Sequence, residues 1–383
     1  MSRKRARQSA EISSDSESAA LAEESEESDF FVSPEEKKVK LAKALLSDLG
    51  SVPAAMPCNL SHADVSFGDP VFFRGHKNTV TSVCTGPDGS IFSGGKDGAV
   101  LQWDLERESK EVLLENLHSG SVTAVAYHPK SRILVTCGGD LAVSMYPLND
   151  MDGAVHLTGH RQPPLALVVN PGTDDVDSVF STGPDFQLRQ WSCTHHACLK
   201  TLFGHTKSAT ALAIHTKDRP VSGGEDATLR QWKMETETHL LHHVKGQHSL
   251  DALACLSAQY TVAGTQAGNL LLFSSQSKKP VSVIEAAHGG SWVQSLCVVP
   301  GTDLVLSGSN DGYLRVWRAV ECTEGRKRSR SLQKETSIPV DGFINGIVVQ
   351  NRNVVLAVGR DSRIGRWESS KCKNGVVVIP YSV

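Results

Sequence analysis

The sequence predicts an all-β fold: a seven-bladed β-propeller with four short strands in each blade. Two observations predict it. An Asp followed six residues later by an aromatic residue, usually Trp, recurs through the chain. Successive units end 41 to 50 residues apart, close to the ~40–45-residue period of a four-stranded blade. Seven units fill residues 71–383, and they end at Trp103, Tyr146, Trp191, Trp232, Phe273, Trp317 and Trp367.

The repeat carries a recognisable set of polar residues. Gly75 and His76 precede Asp97 by about 21 residues, and Trp103 follows, which is the signature of WD40 repeats. Two units are degraded: the second ends with Asp140 and Tyr146, and the fifth has Ala267 and Phe273. Four complete sets are present: His76, Ser93, Asp97 and Trp103; His160, Ser181, Asp185 and Trp191; His205, Ser222, Asp226 and Trp232; and His288, Ser307, Asp311 and Trp317.

These sets predict structural hydrogen-bond networks. The indole N–H can bond to the hydroxyl, the hydroxyl to the imidazole and the imidazole to the carboxylate, which satisfies buried donors and locks the blade. Ser, His and Asp together also suggest a hydrolase. A catalytic set is normally single, however, and this one recurs four times in register with the blades. We therefore expect no enzymatic activity.

The N-terminal part has a different composition. Residues 1–32 begin with the basic cluster Arg3–Arg7, either a nuclear import signal or a chance cluster, and continue as an acidic, Ser-rich stretch that we expect to be disordered. Residues 33–50 predict an amphipathic helix, since Ser33, Pro34 and Glu36 form a capping box. This helix must dock on the protein's own body or on a partner, and residues 51–70 read as a linker. The apolar face of the predicted helix consists of Val39, Ala42, Leu46 and Leu49.

Composition narrows the class of protein. The net charge is −3, and 8 Lys/Arg against 11 Asp/Glu in residues 1–50 account for all of it. The remainder is neutral, so any nucleic-acid contact must come from a local patch. We expect no membrane span and no secretory signal, and nine scattered cysteines indicate reduced thiols. Cys193 and Cys198 enclose two histidines but lack a second cluster, so we expect no metal and no cofactor.

The loops that enter the blades and the turns that carry the Asp share one rim of a propeller. We expect the residues just after His and just before Asp to project from it, either as a functional basic rim or as a merely solvated one. The cations at these places are Lys77, Lys96, Arg161, Lys207, Arg360 and Arg363. A focused patch on a neutral body suits RNA phosphates. A second basic run, residues 326–330, follows Trp317 and belongs on the opposite rim.

Closure of the ring is left open by the sequence. Val71–Phe73 and the C-terminal segment Val376–Ile379 both fall near the junction of the last and first blades. One of them should complete the outer edge of the seventh blade, because an open edge would invite aggregation.

Details outside the blade signature resemble one WD40 family, the U3-specific WD40 proteins of the U3 small nucleolar ribonucleoprotein. The matching segments are Glu11–Ser18, Glu36–Lys43, Thr201–His205, Ala287–Trp292, Val340–Asn345, Arg363–Trp367 and Val378–Pro380. The resemblance implies a non-enzymatic nucleolar protein that binds the box B/C element of U3 RNA together with the kink-turn-binding protein. It also implies a role with other small-subunit processome proteins in releasing 18S rRNA. Glu225 departs from the family, which carries Arg before the fourth-blade Asp.

A different class of function fits the same propeller. A WD40 scaffold, such as a ubiquitin-ligase substrate receptor or a chromatin adaptor, binds peptides on the same rim. Such a scaffold needs neither a basic rim nor U3 RNA.

Overall fold

The computed structural model describes residues 65–382, apart from positions 108, 116, 172–176, 245, 247–248, 325–326 and 366–367. The predicted acidic tail, the helix with Val39, Ala42, Leu46 and Leu49, and most of the linker lie outside the described residues. Trp367 and Arg326 lie outside them too. Within the described part, no helix is long and apolar enough to cross a membrane.

The described chain is built from 29 strands in seven antiparallel sheets. Two short N-terminal strands, β1 (Ser66–Phe67) and β2 (Val71–Arg74), come first. Blade one has β3 (Val80–Thr85), β4 (Ile91–Gly95), β5 (Val100–Asp104) and β6 (Ser109–Leu114). Blade two has β7 (Val122–His128), β8 (Ile133–Gly138), β9 (Val143–Pro147) and β10 (Val155–Leu157). Blade three has β11 (Ala166–Val169), β12 (Ser178–Thr182), β13 (Gln187–Ser192) and β14 (Ala197–Phe203).

The remaining blades repeat this order. Blade four has β15 (Ala209–Ile214), β16 (Pro220–Gly224), β17 (Thr228–Lys233) and β18 (Thr238–His243). Blade five has β19 (Leu250–Cys255), β20 (Tyr260–Thr265), β21 (Leu270–Ser274) and β22 (Ser282–Ile284). Blade six has β23 (Val293–Val298), β24 (Leu304–Ser309), β25 (Tyr313–Glu324) and β26 (Lys327–Pro339). Blade seven contains β27 (Phe343–Gln350), β28 (Asn353–Gly359) and β29 (Gly375–Ser382). The prediction of a seven-bladed propeller is confirmed.

The core lies between neighbouring blades. The second strand of blade one, β4, is buried along its whole length because sheets cover both of its faces. Close packing of adjacent blades explains Gly94: a Cβ there would lie 2.7 Å from side-chain carbons of both Val122 and Val125. Burial of this apolar surface from all seven sheets is the main stabilising contribution to the ring.

Both candidate closing segments belong to blade seven. The C-terminal strand β29 is its third strand and pairs with β28, while β2 pairs with the free edge of β29 and β1 continues that edge. Phe73 of β2 meets Trp103 of blade one edge-on, with ring centroids 6.4 Å apart. The N-terminal strand therefore forms the outer edge, and the ring is closed by pairing the two ends of the propeller.

The last unit does not end where its sequence suggested. An insertion of residues 360–374 separates β28 from β29, so the third strand is not the segment that ends at Trp367. Val355 pairs with Val378, as Ile91 pairs with Trp103 in blade one. Val378 thus occupies the signature tryptophan position. It lies eleven residues beyond Trp367, in an apolar strand that pairs with both β28 and β2.

The second basic run lies in a long β-hairpin. Strands β25 and β26 pair from Tyr313 to Pro339, and the described part of the run, residues 327–330, lies at the start of β26. Arg330 lies 3.6 Å from Asp303 and 3.2 Å from Glu321, and its guanidinium lies 5.2 Å from the ring centroid of Tyr260. This cation is therefore paired within the propeller. The start of β26 is at the opposite end of the blade from the turn that carries Asp311.

Candidate partner-binding face

All four predicted networks are present in the structure. In blade one, Trp103 Nε1 donates to Ser93 Oγ over 2.7 Å, Ser93 Oγ lies 2.8 Å from His76 Nε2, and His76 Nδ1 lies 3.1 Å from Asp97. The corresponding distances in blades three, four and six run from 2.7 to 3.1 Å. Each serine is fully buried.

The available hydrogen-bond donors determine which atoms carry the hydrogens in each network. The serine hydroxyl accepts the indole N–H, so its own hydrogen goes to Nε2 and the imidazole carries its hydrogen on Nδ1, facing the carboxylate. Burial lowers the pKa of His288, in agreement with a neutral ring. Burial acts to raise the pKa of Asp97, but hydrogen bonds from His76 and backbone N–H groups outweigh it and bring that pKa to about 2.

A fifth network is present that the sequence analysis missed. His118 Nδ1 lies 2.8 Å from Asp140 and its Nε2 lies 2.9 Å from Thr136 Oγ1, inside the degraded second unit. The signal was in the sequence: His118 precedes Asp140 by 22 residues and Thr136 precedes it by four. The set was not recognised as a network because Tyr146 stands in the place of the tryptophan and Thr136 in the place of the serine.

The networks also hold the loops of one face in place. The carboxylate of Asp97 accepts the backbone N–H of Lys77 over 2.8 Å, and Asp185 accepts that of Arg161 over 3.3 Å. Asp226 does the same for Thr206, one residue before Lys207. These bonds fix the backbone of the loops. The side chains of Lys77, Arg161 and Lys207, which the loops carry, are exposed on this face.

Lys96 and Arg360 lie on the same face but are tied to the blade-seven insertion. Lys96 Nζ donates to the carbonyl oxygens of Ser362 and Gly365 over 2.6 and 2.8 Å. Arg360 is exposed, and its Nε donates to the Cys372 carbonyl over 2.9 Å. These bonds fasten the insertion to blade one and to itself.

Arg363 points inwards, contrary to the expectation that it projects from the rim. Its guanidinium donates to the carbonyl oxygens of Thr210 and Asp251 over 2.7 and 3.2 Å, on the innermost strands of blades four and five. Burial lowers the pKa of this arginine, while the negative charge of Asp251 opposes the change. The insertion carries Arg363 over the mouth of the central channel, which the spacing of the repeat did not reveal.

The insertion contributes two cations that sequence reasoning missed. Lys371 and Lys373 are exposed between Arg360 and β29. The sequence predicts that the seventh unit ends at Trp367, so residues beyond that position were not considered for this face. Beside this insertion, Lys77, Lys96, Ser119 and Gly120 line part of an open depression of about 780 Å³.

The possible metal ligands do not come together. Cys193 is buried in the blade-three core, where burial raises the pKa of its thiol to about 12, and Cys198 is exposed. In the part of the chain with described positions, no three His, Cys, Asp or Glu side chains are grouped to hold a metal ion.

Fold, networks and face together define a WD40 β-propeller protein. The family model described as WD domain, G-beta repeat matches residues 70–104, 111–146, 196–233 and 278–318. The chain is 27% identical to U3 small nucleolar RNA-interacting protein 2 of Homo sapiens, over 80% of this chain and 68% of that one. It is also 27% identical to the U3 snoRNP-associated protein-like EMB2271 of Arabidopsis thaliana, over 80% and 69%.

A solved structure supports the same grouping. The crystal structure of RRP9 WD40 repeats superposes with a TM-score of 0.75 at 27% identity, covering 83% of this chain and 100% of that one. The resemblance to the U3-specific WD40 proteins is thereby confirmed.

Proposed function

We propose that this protein is a non-enzymatic component of a U3 small nucleolar ribonucleoprotein and acts in ribosome biogenesis. It binds the box B/C element of U3 RNA together with the kink-turn-binding protein, as one copy in a larger particle. Through that particle it supports small-subunit processome assembly and 18S rRNA processing in the nucleolus. The helix of residues 33–50 would contact other processome proteins. Relatives whose names refer to U3 support this role.

The basic face carries the proposal. Lys77, Arg161 and Lys207 are exposed on loops that the buried networks hold in place, and Arg360 is exposed on the blade-seven insertion. The chain outside residues 1–50 has equal numbers of acidic and basic residues, so these cations form a local patch and not part of a uniformly basic surface. Rigidly placed cations on a neutral body bind phosphates in a defined register.

The chemistry of the networks argues for a binding role. A nucleophilic serine must reach a substrate, but Ser93, Ser181, Ser222 and Ser307 are fully buried and each accepts an indole N–H. Their hydroxyl hydrogens are engaged by the imidazoles. These serines stabilise blades and are not positioned to attack a substrate.

Salt dependence of RNA binding tests the proposal. The full chain is titrated onto a box B/C transcript carrying the kink-turn-binding protein, at several salt concentrations. The slope of log K against log salt should be about −0.7 to −0.9 per neutralised phosphate. R161E/K207E should abolish binding without lowering the melting temperature, because neither side chain belongs to a network. R326E/R328E, on the opposite rim, is the matched control and should bind nearly as the wild type does.

The opposite result would show that the RNA binds another face of the propeller. If R326E/R328E abolishes binding and R161E/K207E does not, the basic face is wrongly assigned. RNA capture followed by sequencing separates the two classes of function, since dominant U3 reads support the proposal. Capture of proteins without U3 RNA would favour a peptide-binding scaffold instead.

A further inference from the structure

Two blades carry a large apolar residue at the turn of this face. In blades one to six, the residue after the Asp, or after its counterpart Ala267, adopts a positive φ. Blades one, five and six place Gly98, Gly268 and Gly312 there with φ of 74 to 79°, and blade four places the small, buried Ala227 there with φ of 53°. Blades two and three place Leu141 and Phe186 there, with φ of 67° and 66°. A side chain in the left-handed region is strained, and glycine avoids that strain.

These two side chains do not offset the strain by burial. Leu141 is 38% exposed and Phe186 is 44% exposed. Phe186 makes no ring contact with another aromatic side chain of the described residues. A large apolar side chain that is both strained and exposed contributes little to folding. Strain of this kind is typical of functional sites.

The turn of Phe186 is bonded to both neighbouring segments that bear cations. Asp185 accepts the backbone N–H of Arg161, and Gly183 O accepts the N–H of Ala209, two residues beyond Lys207. Arg161 and Lys207 are exposed, and neither side chain is paired with another described residue. The turn that carries Phe186 is therefore bonded on both sides to segments with an available cation.

A second aromatic ring lies close by. Phe203, at the end of β14, pairs with Gln187, the residue that follows Phe186, and is 70% exposed. The turn of Leu141 has a cation-bearing segment on one side only, because the segment that enters its own blade is His118-Ser119-Gly120-Ser121, without Lys or Arg. Exposed aromatics flanked by cations thus occur together at blade three and not at blade two.

We propose that Phe186 is a stacking platform for an unpaired RNA base, with Arg161 and Lys207 holding the phosphates on either side of that nucleotide. Phe203 is placed to stack a neighbouring base. Aromatic rings accept any base on their π-face, and flanking cations follow the backbone; single-stranded nucleic acids are bound in this way. An apolar protein segment is disfavoured, because docking on Phe186 would bury two charges without partners. This inference rests on the proposed function and names the part of the RNA that blade three binds.

Three substitutions distinguish the contribution of the aromatic ring to RNA binding from that of the turn conformation. F186G removes the ring and leaves a residue that tolerates the positive φ, so its melting temperature should be no lower than that of the wild type. F186Y keeps the ring. L141G makes the same change at the matched position of blade two. The probe is the box B/C transcript bound to the kink-turn-binding protein, titrated with the full chain.

F186G should weaken binding about tenfold, within the range measured for one base–aromatic stack. Its salt slope should stay unchanged, because no phosphate contact is lost. F186Y and L141G should bind within about twofold of the wild type. A 4-thiouridine transcript should also cross-link to the peptide that contains Phe186.

Other outcomes overturn the inference in distinguishable ways. If F186G binds as the wild type does while R161E/K207E fails to bind, the stacking site is wrong and the proposed function stands. If F186G and L141G weaken binding equally, the turns contact an apolar protein surface and not a base. If the wild-type protein does not bind the transcript, both the proposed function and the stacking site fail.

Discussion

Exchanging two buried residues in blade four tests whether the networks stabilise the propeller as units. Ser222 Oγ accepts the indole N–H of Trp232 over 2.8 Å and lies 2.7 Å from His205 Nε2. Blade five has an apolar version of the same two positions. Ala263 pairs with Leu271 as Ser222 pairs with Arg230, and Phe273 stands at the place of Trp232. S222A/W232F therefore makes blade four resemble its neighbour.

The structure sets the expected magnitudes. S222A leaves two buried groups, the indole N–H and His205 Nε2, without partners, which costs about 3–4 kcal/mol. W232F removes one hydrogen bond and part of a ring that lies 4.6 Å from the His239 ring, at a cost of about 2 kcal/mol. In the double variant the indole donor is gone and only His205 is unpaired. Its cost should be about 2 kcal/mol less than the sum of the two single costs.

Urea unfolding of the full chain, followed by fluorescence and circular dichroism, measures the four free energies. Coincident transitions for each variant are required before the cycle is closed. The matched control is F273L in blade five, where Ala263 has no hydrogen bond to lose, and it should cost about 1 kcal/mol. Additivity of S222A and W232F to within about 0.5 kcal/mol would refute the idea that the serine links the two groups.

Two further predictions concern ring closure and acid stability. F73S removes the ring that meets Trp103 edge-on. It should lower the free energy of unfolding by about 2 kcal/mol and promote aggregation, measured by sedimentation. F72S, at the more exposed neighbouring position, should lower it by less than half as much, and equal effects of the two variants would contradict closure by β2. Burial lowers the pKa of His215 to about 4 from its usual 6.5, so the unfolded chain takes up this proton first and stability should fall between pH 6.5 and 4. H215Q should flatten that decline by about one proton when urea midpoints are measured against pH, and an unchanged slope would contradict it.

Much of the fold was determined by local spacing. The distance from His to Ser, Asp and Trp is set within one blade, so the sequence determined the number of blades and the four networks by itself. It also placed Lys77, Arg161 and Lys207 on one face, because each directly follows a residue held by a network. The His118 network has the same spacing, although Tyr146 and Thr136 replace the tryptophan and the serine.

Tertiary structure decided what depends on contacts between distant parts of the chain. The ring closes through β2 and β29, which lie some 300 residues apart in sequence. Pairing between strands so far apart produces no repeating pattern in the sequence from which it could be predicted. Arg363 continues the blade-seven turn in sequence, yet it reaches carbonyl groups of Thr210 and Asp251 across the channel. Phe186 reads as an ordinary turn residue until its positive φ, its exposure and its two neighbouring cations are seen together. Local patterns determine which blade a residue belongs to, but only the assembled ring determines which groups meet at its centre and on its face.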